Sequence, residues 1–133
     1  EWQRIMRMFV GDAVFDYFGQ FSTDMRSLIA AAHLVISICS TGNVLKAAFG
    51  GDNISVLYPN VGRAIVKWNF PSVDELPLVT LGCSARATNR DELMELIKKS
   101  LGDGLGIKEA CAKHFHLDGK NAARIADLVL RLL

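Results

Sequence analysis

Excess charge of either sign is the first thing that this chain lacks. Its 133 residues carry 15 Lys and Arg against 14 Asp and Glu, which gives a formal net charge of +1. A chain so nearly balanced has no global electrostatic attraction to nucleic acid or to an anionic membrane, although a local basic patch is compatible with this balance. The composition therefore excludes the strongly basic and strongly acidic classes of protein.

Cysteine is also scarce, with three residues at widely separated positions: Cys39, Cys83 and Cys111. The disulfide framework of a small secreted domain is normally denser and even in number. The chain opens on the polar residues EWQR, which is not the pattern of a secretory signal. We therefore interpret the cysteines as buried thiols in a reducing, intracellular compartment and expect the cytoplasm. Because no initiator Met is present, we expect a fragment of a longer protein or a processed chain.

Long hydrophobic runs are missing as well. The most apolar run extends over residues 28–39, whereas a membrane-spanning helix needs about 20 apolar residues. We expect no membrane span and assign this run to a buried central helix that begins after Asp24 and ends near Cys39. A helical pattern also covers residues 2–20, where apolar and aromatic side chains recur at helical spacing on more than one face.

Apolar side chains, by contrast, are abundant. Hydrophobic residues make up 50% of the chain, and its mean hydropathy is +0.23. A single domain of this length can bury a proper core. The surplus of apolar side chains nevertheless indicates that a partner covers part of the surface. We expect a homo-oligomer, such as a homodimer, or a complex with another protein.

The boundary signals are clearest in the second half of the chain. Thr88 or Asn89 is placed to cap a helix that has acidic residues in its first turn, basic residues in its last turn and Gly102 as its stop. The apolar residues Leu93, Met94, Ile97 and Leu101 should form its buried stripe. Two further helices are predicted over residues 107–115 and 120–133.

Residues 52–87 are ambiguous. The segments NISVLYP, RAIVKWNF and LPLVTLG are short, rich in β-branched and aromatic residues and separated by prolines, which is typical of strands. The same region also contains helix signals, including a capping box at residues 72–75. We favour helices, because two or three strands inside a helical chain need a partner face. The sequence thus predicts a mainly all-α fold, a single compact domain of about seven helices over residues 1–133, with a small β-element in residues 52–82 as the alternative.

The C-terminal segment KEACAKHFHLDGKNAARIADLVLRLL admits two interpretations. As a helix-turn-helix it would present its last helix to nucleic acid. His116 weakens this interpretation because glycine usually occupies that turn position, and Gly119 weakens it because glycine in a helix costs about 1 kcal/mol relative to alanine. An αα-hairpin capped by Asp118 accounts for the same residues without nucleic acid, and we favour it. The nucleic-acid contacts in the alternative are Lys113, Lys120, Asn121 and Arg124.

Chemistry-bearing motifs are weak throughout. Cys111, His114 and His116 are close in sequence, but residues two apart on a helix point apart, and no second pair completes a tetrahedral metal site. The glycine-rich segment at residues 102–106 lacks the Lys-Ser/Thr of a phosphate-binding P-loop. His33 fits a core histidine bonded to a carbonyl better than a catalytic base. We predict no catalytic residue, no metal site and no cofactor.

The sequence therefore predicts a protein-interaction or oligomerisation domain that acts by binding rather than by catalysis. The alternative is a nucleic-acid-binding domain, either through a helix-turn-helix-like C-terminal hairpin or as an assembling nucleoprotein. The expected interface combines aromatic residues of the first helix with leucines of the last: Phe9, Phe15, Phe18, Leu128, Leu130 and Leu133.

Overall fold

The structure of the protein, a computed structural model, describes residues 25–132. Within that range, helices surround a three-stranded sheet. The helices are α1 Met25–Ala31, α2 Thr41–Ala48, α3 Pro59–Asn69, α4 Pro77–Thr80, α5 Arg90–Leu101, α6 Lys108–His114 and α7 Asn121–Leu132, and the strands are β1 Leu34–Ser37, β2 Asp52–Val56 and β3 Ala85–Ala87. The predicted helix over residues 2–20, with Phe9, Phe15 and Phe18, lies outside the described residues, as does Leu133.

The sheet is parallel throughout, with the strand order β1-β2-β3. Ile54, at the centre of β2, lies opposite Ile36 of β1 and Ala85 of β3. Because parallel strands cannot be joined by a tight turn, each connection must cross over the sheet. Helix α2 makes the first crossover, and α3 and α4 lie in the second. The carboxyl ends of all three strands therefore meet at one edge, which we call the carboxyl edge.

The prediction of a mainly all-α fold is wrong. Helices account for 56% of the described residues and strands for 11%, so the fold is mixed α/β. The error arises in the apolar run over residues 28–39, where α1 ends at Ala31 and β1 follows at Leu34. A continuous apolar run suits a buried helix or a buried parallel strand equally well, and periodicity does not separate them. Strand β2 pairs with residues 34–37 of this run and so favours a strand there over a helix. Strand β2 itself lies within residues 52–82, where the alternative prediction placed a β-element.

The core is centred on β2. Ile54 is fully buried, together with Ala47 of α2, Cys83 before β3 and Cys111 of α6. Helix α2 packs on β1 and β2, and α5 packs on β2 and β3. A second, smaller cluster of buried residues joins the end of β2 to α3 and α4: Leu57, Val66 and Leu76.

Helix α5 begins and ends where its capping signals predict. The Asn89 side chain accepts a hydrogen bond of 2.9 Å from the Glu92 backbone amide, and the Thr88 hydroxyl donates one of 2.8 Å to Glu92 Oε2. The Thr88 amide also donates a hydrogen bond of 2.7 Å to Glu92 Oε2, and the two bonds from Thr88 stabilise the ionised carboxylate, so the pKa of Glu92 is lowered, chiefly by the backbone bond. The helix ends at Gly102. Its predicted buried stripe is partly wrong, because Leu93 and Ile97 pack against the core with Leu96, whereas Met94 and Leu101 are exposed.

None of the helices in residues 25–132 has the length and apolar character that crossing a bilayer requires.

Candidate functional site

Helix α7 begins at a turn that the sequence specifies well. Gly119 has φ +74°, in the left-handed region that glycine adopts without a steric penalty. The Asp118 carboxylate accepts a hydrogen bond of 3.1 Å from the Lys120 amide and a bidentate pair from the Arg124 guanidinium. The bond from Arg124 is the main cause that lowers the pKa of Asp118 to about 2. The Asp118 carboxylate therefore stabilises the turn before α7, but the amide that it binds precedes the helix, so the predicted cap on the first-turn amides is wrong.

The apolar side of α7 is not covered by any described part of the chain. Ala122, Ile125, Leu128 and Val129 recur at helical spacing, and we call this set the α7 stripe. Every side chain of residues 121–131 is exposed, and the exposed fraction of Leu128 is 58%. Within residues 25–132, α7 makes at most marginal contact with the other helices and strands. Helices α6 and α7 therefore do not form the packed hairpin that the sequence favours.

Leu130 is also exposed, at 70%, but it belongs to a different side of α7. At 3.6 residues per turn it lies about 140° around the helix axis from Ile125. Leu128 and Leu130 thus offer two exposed leucines on one helix that face different directions.

The four residues proposed as nucleic-acid contacts do not form a free basic patch. Arg124 donates to Asp118 and also, over 2.8 Å, to Asn121 Oδ1, so its charge is offset and the Asn121 oxygen is occupied. Lys113 and Lys120 are exposed on α6 and just before α7. A helix-turn-helix reads DNA from a second helix packed on the first, and that packing is lacking between these two helices. Non-specific binding to nucleic acid also uses several phosphate contacts.

A cavity of about 470 Å³ lies at the carboxyl edge of the sheet. The loop after β1 enters it through Ser40, whose hydroxyl caps α2 by accepting a hydrogen bond of 3.0 Å from the Gly42 amide. Thr41 and Asn43 of α2 and Ser55 of β2 form its polar wall. Its apolar wall comes from the segments around α4 and from the ends of α3 and α6: Phe70, Leu76, Leu78, Leu81 and Phe115.

The polar wall continues into a buried hydrogen-bonded chain. Asn43 Nδ2 donates to the Ile54 carbonyl oxygen at 3.1 Å and to Ser55 Oγ at 3.3 Å. Ser55 Oγ lies 2.8 Å from Ser84 Oγ, before β3. Among the residues that the structure describes, none is a hydrogen-bond partner for Asn43 Oδ1, although Asn43 is only 2% exposed. A buried acceptor without a partner is costly and requires an explanation.

A serine, a histidine and an aspartate meet at the opposite, amino edge of the sheet. Ser100 Oγ donates to Asp52 Oδ2 over 2.7 Å, and His33 Nε2 lies 2.8 Å from the Ser100 carbonyl oxygen. A nucleophilic triad requires the imidazole to bond the serine hydroxyl, whereas here it meets the carbonyl. The carbonyl partner predicted for His33 is confirmed, but the ring is exposed rather than in the core. Since 67 residues separate His33 and Ser100, no sequence pattern signals this contact.

The cysteines are free thiols in different surroundings. Cys83 and Cys111 are buried in the core, and burial, followed by the neighbouring Cys83, raises the pKa of the Cys111 thiol to about 12. Such a thiol is a poor nucleophile, because the reactive form is the thiolate. Cys39 is half-buried and lines the cavity. Among residues 25–132, no three His, Cys, Asp or Glu side chains lie close enough together to hold a metal ion.

The comparisons with protein-family models, with curated proteins and with solved structures gave no match to this chain.

Proposed function

We propose that the protein is a self-associating binding module and that two copies pair through the α7 stripe. The observation that supports this proposal is the exposure of the whole stripe on a regular helix. Isolated helices shorter than about 12 to 15 residues are marginal in water, and most helical stability in proteins comes from burying an apolar face. Helix α7 has 12 residues, so a partner surface is needed to stabilise it.

A second copy of α7 in antiparallel orientation is a suitable partner. If the two helices cross at Ile125, Leu128 of one copy meets the small Ala122 of the other, so that a large side chain fills the space beside a small one. The helix dipoles also run in opposite directions, which is electrostatically favourable. The packing of Leu128 against Ala122 therefore favours a register centred on Ile125.

The size of the contact predicts a weak and reversible dimer. Twelve residues of α-helix are about 18 Å long at 1.5 Å per residue. Two such helices bury less than the roughly 1,200–2,000 Å² of a standard stable interface. We therefore expect association that depends on protein concentration.

Sedimentation equilibrium over a series of protein concentrations tests the proposal. Leu128→Glu places a charge in the stripe and should weaken association by at least about tenfold, which corresponds to about 1.4 kcal/mol. Leu130→Glu is the matched control, since it makes the same change at another exposed leucine, outside the stripe, and it should associate like the unaltered protein. A chain that remains monomeric at every concentration, or equal weakening by both substitutions, would rule out the α7 stripe as the interface.

A further inference from the structure

We propose that the cavity at the carboxyl edge binds a small neutral molecule with an apolar body and one N–H or O–H donor. This inference is independent of self-association, because the cavity and the α7 stripe share no residue. Three properties of the cavity support it: its position and size, its lack of charge, and its buried acceptor.

Position and size both suit a ligand. In open sheets with parallel strands, ligands bind outside the carboxyl ends of the strands, and although the order β1-β2-β3 has no reversal to mark one position along that edge, the edge itself is the expected side. The cavity lies there, between the N-terminus of α2 and the aromatic rings of Phe70 and Phe115. Its volume of about 470 Å³ falls within the roughly 300–1,000 Å³ of small-molecule sites. It is therefore large enough for a single ring system and its substituents.

The chemistry of the wall indicates a neutral ligand. None of the described residues that line the cavity is an Asp, Glu, Lys, Arg or His. A charged group that enters such a site loses its hydration and gains no ion pair in return. The wall instead combines apolar side chains with the hydroxyls of Ser40, Thr41 and Ser55. A phosphorylated or carboxylated molecule would thus bind less well than a neutral molecule of the same shape.

Asn43 identifies the polar group that the ligand should carry. The Ile54 carbonyl oxygen can only accept a hydrogen bond, so it fixes the orientation of the Asn43 amide. The amide nitrogen must face this oxygen, and Oδ1 therefore faces elsewhere. This oxygen is buried and has no partner within the described chain, and Asn43 lines the cavity. A ligand N–H or O–H would complete the chain of hydrogen bonds through Ser55 to Ser84.

Three probes of nearly equal shape separate these requirements. Benzamide is neutral and carries an N–H donor, acetophenone is neutral and carries none, and benzoate is charged. Each is titrated into ¹⁵N-labelled Leu128→Glu protein, so that association through α7 does not contribute. We expect saturable shifts of the Thr41, Asn43 and Ser55 signals with benzamide, affinity about tenfold lower for acetophenone, and the weakest binding for benzoate. No saturable shift with benzamide at concentrations up to about 10 mM, or equal affinity for benzamide and acetophenone, overturns the proposal.

A pair of substitutions locates the binding. Val44 is exposed at the rim of the cavity, and Val44→Trp should fill part of it and weaken benzamide binding at least about fivefold. Val61 is also exposed, on α3 and outside the cavity lining, so Val61→Trp is the matched control and should bind like the parent. If the two variants bind alike, the probe binds elsewhere. If the cavity signals of the Leu128→Glu protein shift with protein concentration when no probe is present, another copy occupies the cavity, and the proposal is wrong.

Discussion

Ile36 and Ile54 are register partners on adjacent parallel strands, yet their environments are opposite. Ile54 is fully buried beneath helices on the central strand, whereas Ile36 is 44% exposed on the edge strand β1. Two identical side chains on neighbouring strands therefore contribute very differently to stability.

This difference can be measured by chemical denaturation. Ile54→Ala should lower the free energy of unfolding by about 3 to 4 kcal/mol, because it removes buried methyl groups and leaves a cavity in the core. Ile36→Ala, the matched substitution, should lower the free energy of unfolding by less than about 1 kcal/mol, since the Ile36 side chain already contacts solvent. Equal losses would mean that β1 is covered as completely as β2.

The Asp118–Arg124 pair predicts a pH dependence for the start of α7. The pKa of Asp118 is lowered from 3.8 to about 2 in the folded chain. The contribution of its carboxylate to the stability of the folded chain is therefore complete above about pH 4 and is lost as the pH falls from there through about 2. A ¹³C titration of the Asp118 carboxyl should give a midpoint well below 3.8, and Arg124→Ala should raise that midpoint. A midpoint at the ordinary value in the unaltered protein would show that the pair does not form.

Burial predicts that the three thiols differ in reactivity. Cys39 is half-buried, whereas Cys83 and Cys111 are buried and Cys111 has a raised pKa. An aromatic disulfide reagent at pH 8 should label one thiol per native chain quickly and all three after denaturation. Cys39→Ser should abolish the fast phase. Rapid labelling that persists in this variant would indicate that the core opens around Cys83 or Cys111.

The elements predicted correctly are those whose signals are local. Helix α5 has its caps and its stop within its own sequence, and α7 has Asp118 and Gly119 directly before it. Strand β1 cannot be assigned from its own sequence, because its assignment depends on β2, which begins at Asp52, beyond the whole of α2. Once β2 lies beside it, the β-branched residues Val35 and Ile36 favour an extended strand.

The candidate sites also differ in whether their signals are local in the sequence or depend on the tertiary fold. The stripe of α7 follows from helical spacing, but whether another part of the chain covers it is a tertiary property that spacing does not encode. The cavity could not be predicted, because its walls come from residues between Cys39 and Phe115 that meet only after the crossovers form. A buried asparagine with a free oxygen also has no sequence signature.

The proposed dimer pairs two copies of α7 antiparallel about Ile125. Mild oxidation of Ile125→Cys in a Cys39→Ser background tests this pairing directly, since a cysteine on the symmetry axis can form a disulfide with the same cysteine of the second copy. Antiparallel pairing about Ile125 predicts a covalent dimer for this variant and none for Leu130→Cys in the same background. Cross-linking of Leu130→Cys with none at Ile125→Cys, or of neither, would rule out this pairing.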